Sequence, residues 1–239
     1  MKDGNGDMSK RGYSLDDEHT FKGPALEKLK CAAFDLYYLL NRGYQIKGAS
    51  TFVGNHYLLT ERQRIALTRT VSPESSLTTR QEKKIAPERL KGETVNFDGF
   101  NQIITLEVAL SQSPVFWCMD GTFRDLAGLR GTYKLIDKTS DAIRLIISEL
   151  KKLSVKHAVF WLDAPVSNSG RLKALIAEIA EDEQFDICIE IVNNVDKVLY
   201  ELLNVISSDS IVLDLCLSWF NLNERILPAI PNAWLVDLN

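Results

Sequence analysis

HAVFWLDAPVSNSGRLKALIAEIAEDEQFDICIEIV, residues 157–192, holds a strand, a helix and a second strand in succession. It begins with the apolar run HAVFWLD (157–163) and ends with DICIEIV (186–192), both rich in β-branched and aromatic side chains. Runs of this length bounded by turn residues read as buried strands. Between them SGRLKALIAEIAED carries apolar residues at helical spacing. Strand, helix and strand in this order form a parallel pair with a right-handed crossover.

The same alternation extends in both directions. Upstream, VNFD (95–98) is a strand, NQIITLEVALS a helix, PVFWCMD (114–120) a strand and SDAIRLIISELKKL a helix. Downstream, VDKVLYELLNVI reads as a helix, DSIVLDL (209–215) as a fifth strand and AWLVDL (233–238) as a sixth. Near-continuous apolar strands alternating with helices predict an α/β domain over residues 94–239. Its sheet is mostly parallel, of about five or six strands, with helices on both faces.

The first part of the chain has a different texture. Residues 1–19 are polar and Gly-rich and are expected to fray; they lack the apolar core of a signal peptide. Gly23-Pro24 opens a helix with apolar residues at Leu26, Leu29, Ala33, Leu36, Tyr37 and Leu40, which Gly43 stops. Phe34, Tyr37 and Tyr38 fall largely in that stripe and read as core rather than as platforms for stacked bases. A second helix is expected from Lys47 to about Tyr57. A third starts at Thr60, where T-E-R-Q has capping-box spacing. Residues 20–72 thus form a small all-α module, and the polar stretch 73–93 reads as a connector with at most one helical turn.

Charge divides along the same line. Residues 20–92 hold 13 Lys/Arg against 6 Asp/Glu, whereas residues 93–239 hold 12 against 21. A basic module suits phosphates, and an acidic domain suits cations; chance segregation of solvated faces is the plain alternative. No apolar run reaches the ~18–20 residues that span a bilayer, so no membrane partner is expected. Cys31, Cys118, Cys188 and Cys216 form no C-x-x-C pair and read as buried thiols of a reducing, cytoplasmic compartment. His19, His56 and His157 show no zinc-ligand spacing.

Ligands of open α/β sheets bind beyond the carboxyl ends of the strands. Acids gather at such positions: Asp98, Asp120 and Asp163 end strands, Asp196 opens a helix and Asp209 follows a Ser pair. A single such Asp is usually a cap or turn residue. Several converging repel one another unless a cation offsets the repulsion, and hard cations such as Mg²⁺ or Mn²⁺ take oxygen ligands. Spacing does not settle which of the five converge.

Two stretches, VNFDGFN (95–101) and VDKVLYELL…ISSDS (195–210), resemble the PIN-like nucleases, especially their NYN branch. That branch opens with an apolar strand followed by Asp-Gly-Tyr-Asn, and later has a helix-borne Asp and a Ser-Asp step; Phe100 stands where the Tyr is usual. The resemblance covers residues 95–214. It implies a PIN-like fold and a metal-dependent ribonuclease. In that mechanism Asp98, Asp196 and Asp209, with Asp163 or Asp120, hold Mg²⁺ or Mn²⁺, which activates water to cut RNA, and Asn101 orients substrate or a bound water. The chain also resembles an archaeal and bacterial family catalogued as domain of unknown function 434. The carriers are LLNRGYQIKGASTFVGNHYLLTERQRIALTR (39–69), VNFDGFN, DGTFRDLAGLRGTYK (120–134) and LDAPVSNSGRLK (162–173). That family implies no activity.

Two loops have the residue types of anion sites. DGTFRDLAGLRGTYK sets Arg124, Arg130 and Lys134 among glycines, and PVSNSGR offers Ser167, Asn168 and Ser169 at a helix start. An ordered surface loop and ordinary capping account for them equally well. Arg62 and Arg69, seven apart on one helix, are candidates for a phosphate-contacting face, against the alternative of a solvated one. The resulting expectation is an RNA-cleaving enzyme. Its rivals are a non-catalytic nucleic-acid-binding scaffold on a degenerate nuclease fold and a phosphoesterase of small molecules.

Overall fold

The computed structural model describes residues 10–128 and 131–238. Five helices come first: α1 (Asp17–Phe21), α2 (Gly23–Asn41), α3 (Ile46–His56), α4 (Glu61–Thr70) and α5 (Glu74–Lys83). Pro24 occupies the first turn of α2, and Gly43, at φ +83°, turns the chain after it. The capping box of α4 is formed: Thr60 Oγ1 accepts from Gln63 N at 3.3 Å, and Gln63 Oε1 accepts from Thr60 N at 3.1 Å. α2 buries Leu29, Ala32, Ala33, Leu36 and Leu40. Phe34 and Tyr38 are not in that core; they are 70% and 52% exposed. Leu29, Ala33, Leu36 and Leu40 complete the inward stripe at helical spacing, so an aromatic displaced from it points to solvent.

The stretch read as a connector contains α5 and a short 3-10 turn (Pro87–Leu90). Apolar periodicity misses α5 because it docks through charge. Its buried residue is Arg80, paired with Asp120 at 2.6 Å and Asp214 at 2.7 Å, and the Trp219 indole donates to the Arg80 carbonyl at 2.7 Å. The N-terminal segment is likewise held from Arg11 on. Arg11 Nε stands 2.5 Å from buried Glu107, and buried Asp17 pairs with Arg62. Residues 1–9 lie outside the described residues.

The rest of the chain is a mixed α/β fold: β1 (Thr94–Asp98), α6 (Gly99–Leu110), β2 (Val115–Trp117), β3 (Phe123–Asp125), α7 (Asp137–Lys152), β4 (His157–Asp163), α8 (Ser169–Asp182), β5 (Ile187–Val192), α9 (Val195–Leu199), β6 (Val205–Ile206), α10 (Ser210–Leu215), α11 (Asn223–Ile226) and β7 (Leu235–Asp237). A four-stranded sheet runs β5-β4-β1-β6 with all neighbours parallel. On one side α6, α7 and α8 share a core with Val95, Phe97 and Phe160; the two Phe rings stack at 4.4 Å. A smaller cluster joins α9 and α10 to Trp219 and Trp161.

Three strand expectations are corrected. The run at 114–120 supplies β2, but to a second sheet, β3-β2-β7, which also takes the C-terminal run. Residues 210–215 are helix α10, with Val212 and Leu213 buried while Ile211 and Leu215 are half exposed. Short apolar runs do not distinguish a buried strand from a helical turn, and Asp209 decides here by capping the Ile211 and Val212 amides. β6, in place of that strand, uses the last two residues of what reads as the preceding helix. The second sheet and the helical module share a core: Leu36, Leu67 and Val71 pack with Phe116 and Val236, and Phe21 meets Phe116 edge-on at 4.9 Å. Among the described residues no helix is long and apolar enough to cross a membrane.

Gly99 joins β1 to α6 against β4. A Cβ there would stand 2.6 Å from Leu162 Cδ2 and 2.9 Å from the Trp161 carbonyl oxygen. The backbone atom cannot give way, so Gly99→Ala is expected to cost about 1–3 kcal/mol, as overpacking does. At this chain length that lowers the melting temperature by roughly 2–12 °C. An unchanged thermal melt would contradict the packing described.

Candidate functional site

Parallel pairing of β1 and β4 brings their carboxyl ends together, with Asp98 in register with Trp161 and Asp163 two residues further on. Asp196, in the first turn of α9, and Asp209, the N-cap of α10, approach the same edge. Asp98 is buried, Asp163 and Asp209 half-buried and Asp196 exposed. Burial foremost, and then the charges of Asp196, Asp209 and Asp163, push the Asp98 carboxyl up to about 7, against a Ser207 hydrogen bond that lowers it. Asp196, although exposed by surface area, is raised too, by the protein that displaces part of the water around its carboxylate and by Asp209 and Asp163. The charges of Asp163 and Asp209 thus bear on both Asp98 and Asp196.

Each of the three less exposed acids is anchored through one oxygen. Ser207 Oγ donates to Asp98 Oδ2 at 2.8 Å. Asp163 Oδ1 accepts from Val195 N at 3.2 Å, and Asp209 Oδ1 from Ile211 N and Val212 N at 2.9 and 3.1 Å. Asp98 Oδ1, Asp163 Oδ2 and Asp209 Oδ2 make no hydrogen bond among the described residues. The connecting turn is fixed as well: Ser207 Oγ accepts from Asp209 N at 3.0 Å, and Asn101 Oδ1 accepts from Ser208 N and Oγ at 3.0 and 2.9 Å.

A cleft of 350 Å³ opens over this edge. Asp98, Asn101, Asp163 and Asp209 line it together with Arg69, Arg124 and Asp125; Asp196 is not in the lining but lies near enough to Asp209 and Asp163 to feel their charge. Arg69 donates to the Asp125 carbonyl and lies 3.8 Å from its carboxylate, with its side chain 38% exposed. A larger depression of 780 Å³ lies elsewhere, and its Lys84, Glu149, Glu224 and Arg225 are already joined in ion pairs. Among the described residues no three His, Cys, Asp or Glu side chains stand, as placed, close enough to hold a metal ion. The donors are hard oxygens with excess negative charge, the chemistry of a magnesium or manganese site, but closing one requires the carboxylates to turn inward.

The other candidates separate from this edge. Asp120 is buried between Arg80 and Arg124; burial alone would raise its carboxyl, but Arg124, Thr122 and Arg80 outweigh that and hold it below the usual range. Asp163 thus takes the middle place in the cluster. Arg124 is a buried strut that donates to Ser208 O at 2.6 Å and Arg69 O at 2.5 Å. Arg62 clasps Asp17 with two nitrogens and the Gly12 carbonyl with one, so of the pair on α4 Arg69 alone reaches the cleft. Lys134 is exposed away from it, and Arg130 lies outside the described residues.

The PVSNSGR loop is stitched to its neighbour rather than open to an anion. The Ser167 amide donates to Gly131 O, the Ser169 amide to Val166 O, Ser167 Oγ accepts from Tyr133 N, and Asn168 Nδ2 donates to Tyr133 O. Sequence reasoning overlooked Ser207, whose only signal is its place two residues before Asp209. It also overlooked Asp125, which ends a strand too short to show periodicity.

A family described as "Domain of unknown function (DUF5616)" matches residues 87–225, and one described as "Protein of unknown function (DUF434)" matches residues 28–83. The resemblance to the latter therefore extends to the helical part, and VNFDGFN, DGTFRDLAGLRGTYK and LDAPVSNSGRLK fall in the former. The chain is 38% identical over 184 residues to the Uncharacterized protein MJ0935 of Methanocaldococcus jannaschii, covering 75% of this chain and 86% of that protein. No solved structure matches.

Proposed function

We propose, for a chain that belongs to the family described as Domain of unknown function (DUF5616), that the acidic cleft hydrolyses phosphodiester bonds of RNA with the help of Mg²⁺ or Mn²⁺. The observation that carries this reading is the set of anchored carboxylates, each with one oxygen left over, lining one cleft together with Arg69. The order of D-G-F-N, helix-borne Asp and S-S-D-S, shared with PIN-like nucleases, supports it. Asp98, Asp163, Asp196 and Asp209 would hold the cation, which when bound supplies a water of lowered pKa and charge stabilisation at the phosphate. Ser207 aims Asp98, and Asn101 positions Asp209 through Ser208 while its Nδ2 remains to donate to a substrate oxygen. Arg69 contributes positive charge where phosphate oxygens would lie.

The separation of the acids as placed favours a second reading, a nucleic-acid-binding scaffold on a degenerate nuclease fold. Purified protein incubated with mixed RNA and DNA substrates decides between them. Cleavage of RNA with Mg²⁺ or Mn²⁺, lost to chelator and in Asp163→Asn, is expected. RNA bound but never cut under any metal would establish the scaffold. Arg69→Gln is expected to reduce kcat/KM by about 10–100-fold, the worth of one charge-assisted hydrogen bond. Wild-type kinetics in that variant would remove Arg69 from the site.

A further inference from the structure

The acidic cleft continues into a second depression of 400 Å³, with which it shares Thr68, Arg69, Arg124 and Ser210. That depression runs between the start of α5 and the corner joining α2 to α3, where Tyr44 forms part of its wall and is 60% exposed. Beyond the corner, Arg42, Tyr38 and Phe34 follow one another back along α2 at four-residue intervals. Each interval is about 6 Å along the helix axis. Arg42 lies over the Tyr38 ring, 5.0 Å from its centroid. The rings of Tyr44, Tyr38 and Phe34 all stand outside the core of the helical module.

From this continuity we infer that Tyr44, Tyr38 and Phe34 form a stacking track that leads a single-stranded polynucleotide into the acidic cleft. Exposed aromatic faces interleaved with cations are what such a strand requires: bases stack on the rings and phosphates pair with the charges. The local charge is complementary, because residues 28–47 hold Lys28, Lys30, Arg42 and Lys47 against a single acid, Asp35. Asp35 accepts a hydrogen bond from the Tyr57 hydroxyl at 2.8 Å. A duplex keeps its bases stacked on one another and has no faces to offer the rings. The inference rests on the cleft being a phosphodiester site for its direction, but binding along the track needs neither cation nor cleavage.

The test uses the full chain in chelator, with anisotropy of a labelled, unstructured RNA of roughly 12 nucleotides, a DNA of the same sequence, and an RNA duplex. Phe34→Ala with Tyr38→Ala is expected to weaken single-strand binding on the order of 30-fold and to leave duplex binding and the melting temperature nearly unchanged. Tyr38→Phe, which keeps the ring, should restore most of the loss in the single-site comparison with Tyr38→Ala. Arg42→Gln should flatten the log–log salt dependence by about 0.7. Affinity within twofold of wild type in the double variant, an equal loss for the duplex, or no single-strand binding by wild type would overturn the track. So would a double variant that changes sedimentation from dimer to monomer while RNA affinity stays the same, since the face would then join two copies. Track binding without cleavage by wild type would leave this inference standing and defeat the catalytic reading alone.

Discussion

Asp98→Asn is expected to abolish cleavage while making the cation-free protein more stable. Asn keeps an oxygen to accept from Ser207 and removes the charge that burial and three neighbouring acids oppose. A carboxyl raised from 3.8 to about 7 in the fold destabilises the native state whenever it must ionise. The sign follows from which state loses its proton first. Below the unfolded value both states are protonated and nothing is lost. As pH rises from about 4 to 7 the unfolded chain ionises first and stability falls, and above 7 the loss is constant. Its size is on the order of 4 kcal/mol. Imperfect hydrogen bonding of the buried amide returns about 1–2 kcal/mol. A net gain of about 2–3 kcal/mol at pH 8 raises the melting temperature by roughly 4–12 °C; near pH 4 only the amide's cost of about 1–2 kcal/mol remains, and the variant is then the less stable. Mn²⁺ should stabilise wild type more than the variant, by about 1.4 kcal/mol for each tenfold difference in affinity. Activity should fall at least about 100-fold, the upper cost of changes merely adjacent to metal ligands. Equal melting curves at pH 8, or wild-type cleavage by the variant, would contradict the assignment.

The largest loss of stability is expected from Asp120→Ala. Its carboxylate, with no exposed side-chain surface, is shared by Arg80 and Arg124, which are 4% and 8% exposed. Truncation leaves Arg124 without a carboxylate partner and Arg80 with Asp214 alone. Breaking a buried ionic cluster in this way costs about 3–5 kcal/mol. That corresponds to a fall of roughly 6–20 °C in melting temperature. Because the Asp120 carboxyl is held below its ordinary range, its contribution is present at neutral pH and is lost as pH falls through the folded value. Wild type and variant should therefore converge in strong acid. Urea melts across pH read this directly; a midpoint at pH 7 no lower than that of a Glu183→Ala control, whose half-exposed carboxylate pairs at the surface with Arg144 and Lys151, would refute the structural role.

Asp120 and Asp163 also show where a sequence stops being legible. Both end apolar runs, PVFWCMD and HAVFWLD, and one-dimensional patterns treat them alike. Strand pairing separates them: β4 lies beside β1, whereas β2 leaves for another sheet and places its acid against Arg80 from α5. The β1–α6 and β4–α8–β5 units are readable because their apolar period is long and unbroken. α10 and β6 are not, since each is too short for periodicity and is fixed by a cap at Asp209 or by contact with β1. Arg62 and Arg69 share a helix face, but the partner that takes Arg62 is Asp17, 45 residues away. Four acids at one edge were legible as candidates; the cap that Asp209 gives α10 is local, but the anchoring of Asp98 by Ser207 and of Asp163 by Val195 N is tertiary geometry.

Whether the acidic edge holds a cation is read from direct binding of Mn²⁺. Free Mn²⁺ is followed by electron paramagnetic resonance as chelator-treated protein is titrated at pH 8, for wild type, Asp98→Asn and Asp120→Asn. Saturable uptake by wild type and by Asp120→Asn, with at least about 10-fold weaker uptake by Asp98→Asn, is the predicted result. No saturable uptake by wild type, or equal uptake by wild type and Asp98→Asn, would contradict a cation site at this edge.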